Sequence, residues 1–303
     1  MSGVQTALPE GLTTRPLETS ESRALFDLIA AQEQHDTGSV DIEEADLISD
    51  WALPGYDLAA SSIGVYADGN LVAYAEHMRN DRVDAAVHPD HRGRGIGTWL
   101  AAWLRSHAKS RGATLIGMPV PEGSAGDRLM ADLGYRIRWT SWILELPEGT
   151  EIEHRDLPAG HAVGQARAED LVALHDVLED AFLEWSERER ETFEAFTAMV
   201  LQRPGYEPWN ARVVTDAAGE VVAAAIVFLS ENGTAYISRL GTRKDQRNRG
   251  LAQALLVDSF AAGRAHGATT SELSTDSRTG ALGLYEKVGM VTTGVWVNRC
   301  VEL

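Results

Sequence analysis

RNRGLA at residues 247–252 is the stretch that decides the fold, together with an earlier copy of the same pattern, RGRGIG at residues 92–97. Both read Arg-x-x-Gly, then one further residue, then Gly or Ala. Small residues at these places let a ligand approach the backbone closely, and the arginines add positive charge. Such a loop suits an anion, and above all a phosphate when a helix begins directly after it.

The flanks of both copies have the periodicity of a strand before the loop and of a helix after it. Short apolar runs at residues 82–87 and 235–240 predict strands, and residues 98–111 and 253–266 show helical periodicity. The N–H groups at a helix start have no intrahelical partner, and the helix dipole places partial positive charge there. Each copy therefore predicts a phosphate or pyrophosphate site at a helix N-terminus.

The two copies belong to a duplication that extends well beyond the loops. Adding 155 to the residue numbers of the first copy places Arg92 on Arg247 and Gly95 on Gly250. The same offset continues without a gap over about forty residues. A constant register of that length indicates duplication of one folding unit of about 150 residues.

The loops resemble the coenzyme A pyrophosphate loop of the GNAT superfamily of acyl-CoA-dependent N-acetyltransferases, whose signature is Gln/Arg-x-x-Gly-x-Gly/Ala. The first copy also resembles that family upstream, through VHP at residues 87–89, where the second copy has GTR at residues 241–243. The resemblance implies acetyl-CoA (coenzyme A) as the cofactor. The cofactor-binding residues that it implies are Leu240, Gly241, Thr242, Arg247, Asn248, Arg249, Gly250, Leu251 and Ala252 in the second copy, and Val87, Arg92, Gly93, Arg94, Gly95, Ile96 and Gly97 in the first.

The expected fold class is α/β of the α+β type, with two GNAT folds in tandem, each a mixed, mostly antiparallel sheet flanked by helices. We expect an N-terminal domain at residues 10–148, non-catalytic or degenerate, a polar, turn-rich linker at 149–160, and a catalytic C-terminal domain at 161–303. The pattern also predicts helices at 20–34, 39–51, 125–133, 171–185, 191–201 and 280–288, and strands at 63–67, 71–78, 137–146, 211–215, 221–229, 271–275 and 291–301.

Acetyl transfer from a thioester to an amine requires a proton for the departing thiolate. The GNAT family usually supplies it from the tyrosine of Leu-Tyr-x-x-x-Gly-Phe, and LYEKVGM at residues 284–290 resembles that motif. The resemblance makes Tyr285 the candidate general acid. The first copy places Met130 at this position, and a thioether donates no proton. Both copies could therefore hold coenzyme A, whereas only the second has the usual acid.

The general base is the second catalytic role to assign. Glu272 is the candidate, because it lies on the predicted strand that follows the long helix, and Asp276 and Glu184 are the alternatives. The family's Asn seven residues before the tyrosine is replaced by Arg278. The catalytic residues that we assign are Tyr285 and Glu272, and we expect no metal site, because the only histidine pair with ligand-like spacing flanks the first loop.

Amino-acid composition limits the classes of molecule that this protein is expected to bind. The 303 residues are 44% hydrophobic, which is enough for two cores, and the formal charge of −18 disfavours nucleic acid and favours a cationic substrate such as an amine. A single cysteine, Cys300, and no long apolar segment indicate a cytoplasmic protein without a membrane partner. The leading hypothesis is acetyl transfer to the primary amine of a small molecule. The alternatives are a non-catalytic acyl-CoA binding or sensing protein, and a protein or peptide N-acetyltransferase.

Overall fold

The computed structural model describes residues 7–79, 81–153 and 155–303. They form two compact units. Unit 1 comprises the described residues up to Thr140 together with Val295–Leu303, and unit 2 comprises Ser141–Gly294. This division differs from the boundaries expected from the sequence, because the end of the chain belongs to unit 1 and the expected linker belongs to unit 2.

Unit 1 has a six-stranded sheet in the order β1-β2-β3-β4-β5-β12. Neighbouring strands are antiparallel except for β4 and β5, which are parallel. Helices α1 and α2 cover one face of this sheet, and α4 covers the other. Its elements are β1 (Leu12–Arg15), α1 (Ser22–Asp36), α2 (Glu44–Trp51), α3 (Leu58–Ser61), β2 (Ser62–Ala67), β3 (Asn70–Arg79), β4 (Arg82–Val87), α4 (Ile96–Ser110), β5 (Leu115–Pro121), α5 (Ala125–Asp132) and β6 (Arg136–Glu145), whose last residues enter unit 2.

Unit 2 repeats this architecture in the order β6-β11-β10-β9-β8-β7. The parallel pair is β10 with β11, and the other neighbours are antiparallel. Its elements are β7 (Ala162–Gln165), α6 (Leu171–Leu183), α7 (Phe193–Phe196), β8 (Ala211–Thr215), β9 (Val221–Leu229), β10 (Thr234–Thr242), α8 (Leu251–Ala265), β11 (Thr270–Asp276), α9 (Leu282–Lys287) and β12 (Val291–Glu302), whose last residues complete unit 1.

The outer strand next to the parallel pair comes from a distant part of the chain in both units. In unit 1 the end of β12 pairs with β5, from Trp296 opposite Pro121 to Glu302 opposite Leu115. In unit 2 the end of β6 pairs with β11, through Glu145 opposite Glu272. The sheet of unit 1 is therefore built from two separate segments of the chain, whereas the sheet of unit 2 lies within the single segment Ser141–Gly294.

The predicted mixed, mostly antiparallel sheets with helices on both faces are confirmed. The helix predicted at residues 39–51 is shorter, because the backbone N–H groups of Asp41 and Ile42 donate to the Glu33 carboxylate instead of joining α2. The helix predicted at 191–201 is α7 followed by a π-helical turn, Thr197–Leu201. Within the described ranges, every helix is too short or too polar to cross a bilayer.

Candidate active site

The two phosphate loops have the same backbone conformation. Gly93 and its counterpart Asn248 have positive φ angles of 74° and 62°. Gly95 and Gly250, which cap α4 and α8, have φ angles of 86° and 82°. Asn tolerates the left-handed region better than most side chains, which explains how the second copy keeps the loop without its first glycine. The first N–H groups of both helices precede the first intrahelical bond and face the loop.

Arg247, the first residue of the second loop, is held by a carboxylate at the end of α6. Its Nη1 and Nη2 atoms donate to the two oxygens of Glu184 at 3.0 and 2.6 Å, and its Nε donates to the carbonyl of Thr242 at 3.2 Å. The Arg247 guanidinium lowers the pKa of Glu184 below its ordinary value. This bidentate pair fastens the helix end to the loop.

Arg92 makes the equivalent contacts in the first loop. Its Nη1 and Nη2 atoms donate to Asp36, the last residue of α1, at 2.6 and 2.9 Å, and its Nε donates to the carbonyl of Val87 at 3.3 Å. Burial raises the pKa of Asp36, but the hydrogen bonds and charges of Arg92 and His35 together leave that pKa below its ordinary value. A phosphate contact by Arg92 or by Arg247 stays a prediction, because three donors of each guanidinium already bind protein oxygens.

The third residue of each loop also carries a guanidinium, and in the described part of the chain it forms no ion pair. Arg94 lies 3.2 Å from the ring nitrogen of His91, and Arg249 donates to the side-chain amide oxygen of Gln246. Both side chains are exposed. Together with the unpaired N–H groups they form the positive end of each site.

The parallel strands beside each loop part from each other. In unit 2, β10 and β11 stay in register from Thr234 opposite Thr270 to Ile237 opposite Leu273, and a bulge interrupts β10 directly afterwards. In unit 1, the described β4–β5 pairing is Arg82 opposite Gly117. Beyond these pairs the strands end beside a helix N-terminus, where an extended ligand arm can reach backbone groups that the sheet does not use.

Tyr285 lies on α9 and is buried, with 9% of its surface exposed. It belongs to the core cluster that contains Leu273 of β11 and Phe260 of α8. Burial raises the pKa of Tyr285 to about 12, so the phenol is protonated at neutral pH and can donate a proton. Met130, its counterpart on α5, is buried to a similar extent, with 7% exposed.

Glu272 and Tyr285 lie on opposite faces of the sheet. Glu272 is opposite Tyr236 on β10, and Tyr236 in turn hydrogen-bonds Ser274 on that face at 2.8 Å. Leu273, the next residue along β11, packs in the cluster with Tyr285. Because successive strand residues point to opposite faces, the structure does not bring the two proposed catalytic side chains together.

The alternative bases are engaged by arginines. Asp276 accepts from Arg278 Nε and Nη2 at 3.1 and 2.5 Å, and the Arg278 guanidinium lies 4.8 Å from the centre of the Trp185 ring. Glu184 is bound to Arg247 as described above. Both alternative carboxylates are thus held in ion pairs, and the assignment of Glu272 as the base stays a prediction.

A cavity of about 360 Å³ leads from the loop of unit 1 into its interior. Gly95 and Gly97 line its mouth, and apolar side chains of α4, β5 and α5 line its deeper part. These include Leu104, Met118 and Met130. The first copy therefore keeps an open, mostly apolar space behind its phosphate loop, although it lacks the tyrosine.

Unit 1 also contains one buried and one half-buried acidic group, Glu76 and Asp84, which the sequence analysis did not single out. Glu76 on β3 is only 3% exposed, accepts a short hydrogen bond from Tyr56, and lies opposite Asp84 of β4. Burial raises the pKa of Glu76 to about 7 and raises that of Asp84. The counterpart of Asp84 in unit 2 is Arg239, whose Nη1 donates to Glu191 at 2.6 Å. The sequence signal for this group is Glu76, which directly follows the apolar run at residues 71–75.

The repeated fold, with a helix that starts at a glycine loop beside two parting parallel strands, is that of an acyltransferase. A model of the Acetyltransferase (GNAT) family matches residues 23–135 and again residues 171–290. The chain belongs to the GNAT acetyltransferase family as a tandem of two such domains, and it is an acyltransferase.

Relatives of similar length share this layout. The chain is 30% identical over 255 residues to a mycothiol acetyltransferase of Salinispora arenicola (strain CNS-205), covering 77% of this chain and 78% of that protein. It is 28% identical to a GCN5-related N-acetyltransferase of Sphaerobacter thermophilus, with a TM-score of 0.76 and coverage of 98% and 97%. A tandem GNAT protein from the clavulanic acid biosynthesis pathway, 17% identical, has a TM-score of 0.74 over 96% and 98% of the chains. The resemblance in layout to mycothiol synthase, which the active-looking C-terminal copy suggests, agrees with the first of these.

Proposed function

We propose that unit 2 transfers the acetyl group of acetyl-CoA directly to the primary amine of a small molecule. The observation that carries this proposal is Tyr285, a buried and protonated phenol that follows the second phosphate loop and has no counterpart in the first. The acidic chain, with a formal charge of −18, favours approach of a cationic amine. The one cysteine, Cys300, is a buried free thiol, which suits the reducing cytoplasm.

Each proposed step uses groups of unit 2. The N–H groups of the loop and Arg249 hold the pyrophosphate, and the thioester lies where β10 and β11 part. The uncharged amine attacks the thioester carbonyl carbon, so that a C–N bond forms and the C–S bond breaks. Glu272, which lies on the other face of the sheet from Tyr285, takes through water the proton that the amine loses. Tyr285 gives its proton to the thiolate, and the products are an amide and coenzyme A.

In this proposal the first copy has a different role. Unit 1 keeps the loop conformation and an apolar cavity, which support coenzyme A binding. Met130 replaces the acid, and Pro119 and Pro121 of β5 remove N–H donors at the positions of Ser274 and Asp276. We therefore propose that unit 1 holds coenzyme A weakly or unproductively. The boundaries at residues 10–148 and 161–303 remain proposed family-domain limits, which differ from the compact units.

Turnover with a panel of small primary amines tests this function. Release of the coenzyme A thiol and the mass of the acetylated amine are measured together, because hydrolysis of acetyl-CoA gives only the first signal. We expect both products in equal amounts and no acetylated enzyme after incubation with acetyl-CoA alone. Binding of acetyl-CoA without turnover of any amine would favour a sensing protein. Turnover of peptides alone would favour a peptide N-acetyltransferase.

A further inference from the structure

The segment expected to be a linker packs against the phosphate loop of unit 2. Ile152 packs on the core cluster that contains Tyr285, and Leu157 packs on the cluster that contains Leu251 of α8. Between them, the carbonyl of Glu153 accepts a hydrogen bond of 2.6 Å from the side-chain amide of Gln253, in the first turn of α8. Two apolar anchors and one hydrogen bond therefore hold this segment across the start of α8.

Arg155 is the residue that this arrangement places next to the loop. A Cβ atom added to Gly250 would lie 3.8 Å from both the Cβ and the Cδ of Arg155, so the arginine stem lies against the capping glycine. The side chain is exposed, and across the described ranges it has no ion-pair partner. An unpaired guanidinium thus lies at the helix start, where the first N–H groups also lack partners.

We propose that Arg155 is a further coenzyme A-binding residue, whose guanidinium contacts a phosphate group of the cofactor bound to unit 2. This inference rests on the proposed function. The neighbouring guanidinium of Arg247 is already neutralised by Glu184, whereas Arg249 contacts only an uncharged amide. Arg155 and Arg249 therefore both supply positive charge at this site that no ion pair of the described residues compensates, and Arg155 comes from outside the family loop.

In the part of the first copy that the structure describes, no residue corresponds to Arg155. Residues 1–11, which precede β1 as the segment with Arg155 precedes β7, contain neither lysine nor arginine. A Cβ added to Gly95 would meet no atom of residues 7–79, 81–153 or 155–303 within 4 Å. The loops are alike in backbone, but among the residues that the structure describes a cation from a preceding segment lies only at the second. Arg155 thereby favours tighter cofactor binding at unit 2 than at unit 1.

Hydrogen exchange read by mass spectrometry can test this in the full chain without silencing either unit. Peptides that cover residues 248–256 report coenzyme A at unit 2, and peptides that cover residues 93–101 report unit 1. We expect Arg155→Ala to raise the coenzyme A concentration needed to protect the unit 2 peptides about 10-fold, and Arg155→Lys to restore part of that loss. The unit 1 peptides should be unchanged.

Arg264→Ala is the matched control. It removes the same charge from an exposed arginine at the opposite end of α8, about 20 Å from Gly250. If coenzyme A protects the unit 2 peptides of the Arg155→Ala variant at the same concentrations as those of the Arg264→Ala variant, the inference is overturned, while the proposed function stands. If the unmodified chain shows no protection at unit 2 with coenzyme A, the proposed function fails first.

A second ligand identifies the phosphate. With 3′-dephospho-coenzyme A, an effect of Arg155→Ala that persists assigns the contact to the pyrophosphate. An effect that disappears assigns the contact to the 3′-phosphate. Both results support a phosphate contact, since the variant must first weaken binding of coenzyme A itself.

Discussion

Units 1 and 2 have phosphate loops of the same conformation, but they differ in their other polar side chains. Gly95 and Gly250 cap their helices with φ angles of 86° and 82°. Unit 1 has a thioether at the acid position and two carboxyl groups with raised pKa values, whereas unit 2 has a protonated phenol and an arginine paired with a glutamate.

The difference between the units shows that anion binding and proton transfer depend on different features of the fold. Anion binding depends on backbone N–H groups and on one or two left-handed residues, so it survives duplication as long as the loop does. Proton transfer depends on a single side chain at one position, and one substitution removes it. A duplicated enzyme domain can therefore keep its ligand-binding loop after it has lost its catalytic residue.

The largest effect should come from Tyr285→Phe. If the phenol protonates the coenzyme A thiolate, kcat should fall about 10- to 1000-fold, while packing and cofactor affinity change little because only the hydroxyl is lost. Met130→Leu, at the matching position of unit 1, should leave kcat unchanged. Rate at saturating acetyl-CoA and affinity by calorimetry must be measured separately. An unchanged kcat in the Tyr285→Phe variant would contradict the assignment of Tyr285 as the general acid.

Glu76→Gln and Glu179→Gln should change stability in opposite directions at pH 8. The folded-state pKa of Glu76 is raised to about 7 by burial, so folded unit 1 binds a proton that the unfolded chain releases above about pH 4.5. Its contribution to stability falls as pH rises from about 4.5 to 7, by about 3 kcal/mol in all. We expect Glu76→Gln to raise the thermal midpoint at pH 8 and to change it little at pH 5.

Glu179 in unit 2 is the contrast. It is 1% exposed and accepts from Arg188 at 2.9 and 2.6 Å. Burial raises its pKa, but the hydrogen bonds from Arg188 and from the Glu191 backbone, together with the charges of Arg188 and Arg239, leave the pKa below its ordinary value. Its contribution to stability therefore persists above its unfolded pKa and is lost in acid. Glu179→Gln should cost about 3 kcal/mol at pH 8, because the arginine loses its buried partner. Hydrogen exchange would locate each change, and two changes of the same sign would contradict the contrast.

Arg247→Ala should weaken coenzyme A binding at unit 2 by about 1 to 3 kcal/mol, because the loop loses a charge and its tie to α6. Glu184→Gln, which keeps the charge on Arg247, should weaken binding less. Arg92→Ala is the matched change in unit 1 and should leave turnover within about twofold of the unmodified enzyme. Steady-state kinetics would reverse the proposed division of labour if Arg92→Ala abolished turnover and Arg247→Ala did not.

Local patterns in the sequence predicted much of the fold. The predicted strand at 82–87 is β4, and the predicted helices at 98–111 and 253–266 are α4 and α8 displaced by two residues or fewer. These features depend on neighbours in the sequence, such as alternation, periodicity and small residues at helix starts. The constant offset of 155 residues between the two copies was enough to predict the duplication from the sequence alone.

Long-range pairings were not predictable in this way. The alternation in residues 291–301 predicts a strand but does not identify its partner, which from Trp296 onward is β5 of unit 1. Glu184 was a candidate base, although it binds Arg247, 63 positions away. The linker was read as polar, and its two apolar anchors, Ile152 and Leu157, were the overlooked sign that it packs.

The smallest predicted effect comes from Ala252→Gly, which makes the second loop end as the first does. Ala252 is in the first turn of α8, and glycine there should cost about 0.5 to 1 kcal/mol of stability through backbone entropy. The N–H group remains, so coenzyme A affinity at unit 2 should stay within about twofold. A Cβ on the equivalent Gly97 would come within 2.8 Å of Leu129 Cδ2, a flexible side-chain end, so Gly97→Ala should also be nearly neutral. Calorimetry on both variants measures the affinity for coenzyme A. If either exchange shifted that affinity toward the value of the other unit, the residues of the loop itself would explain the difference between units 1 and 2. That result would contradict the comparison, which attributes the difference to side chains outside the loop.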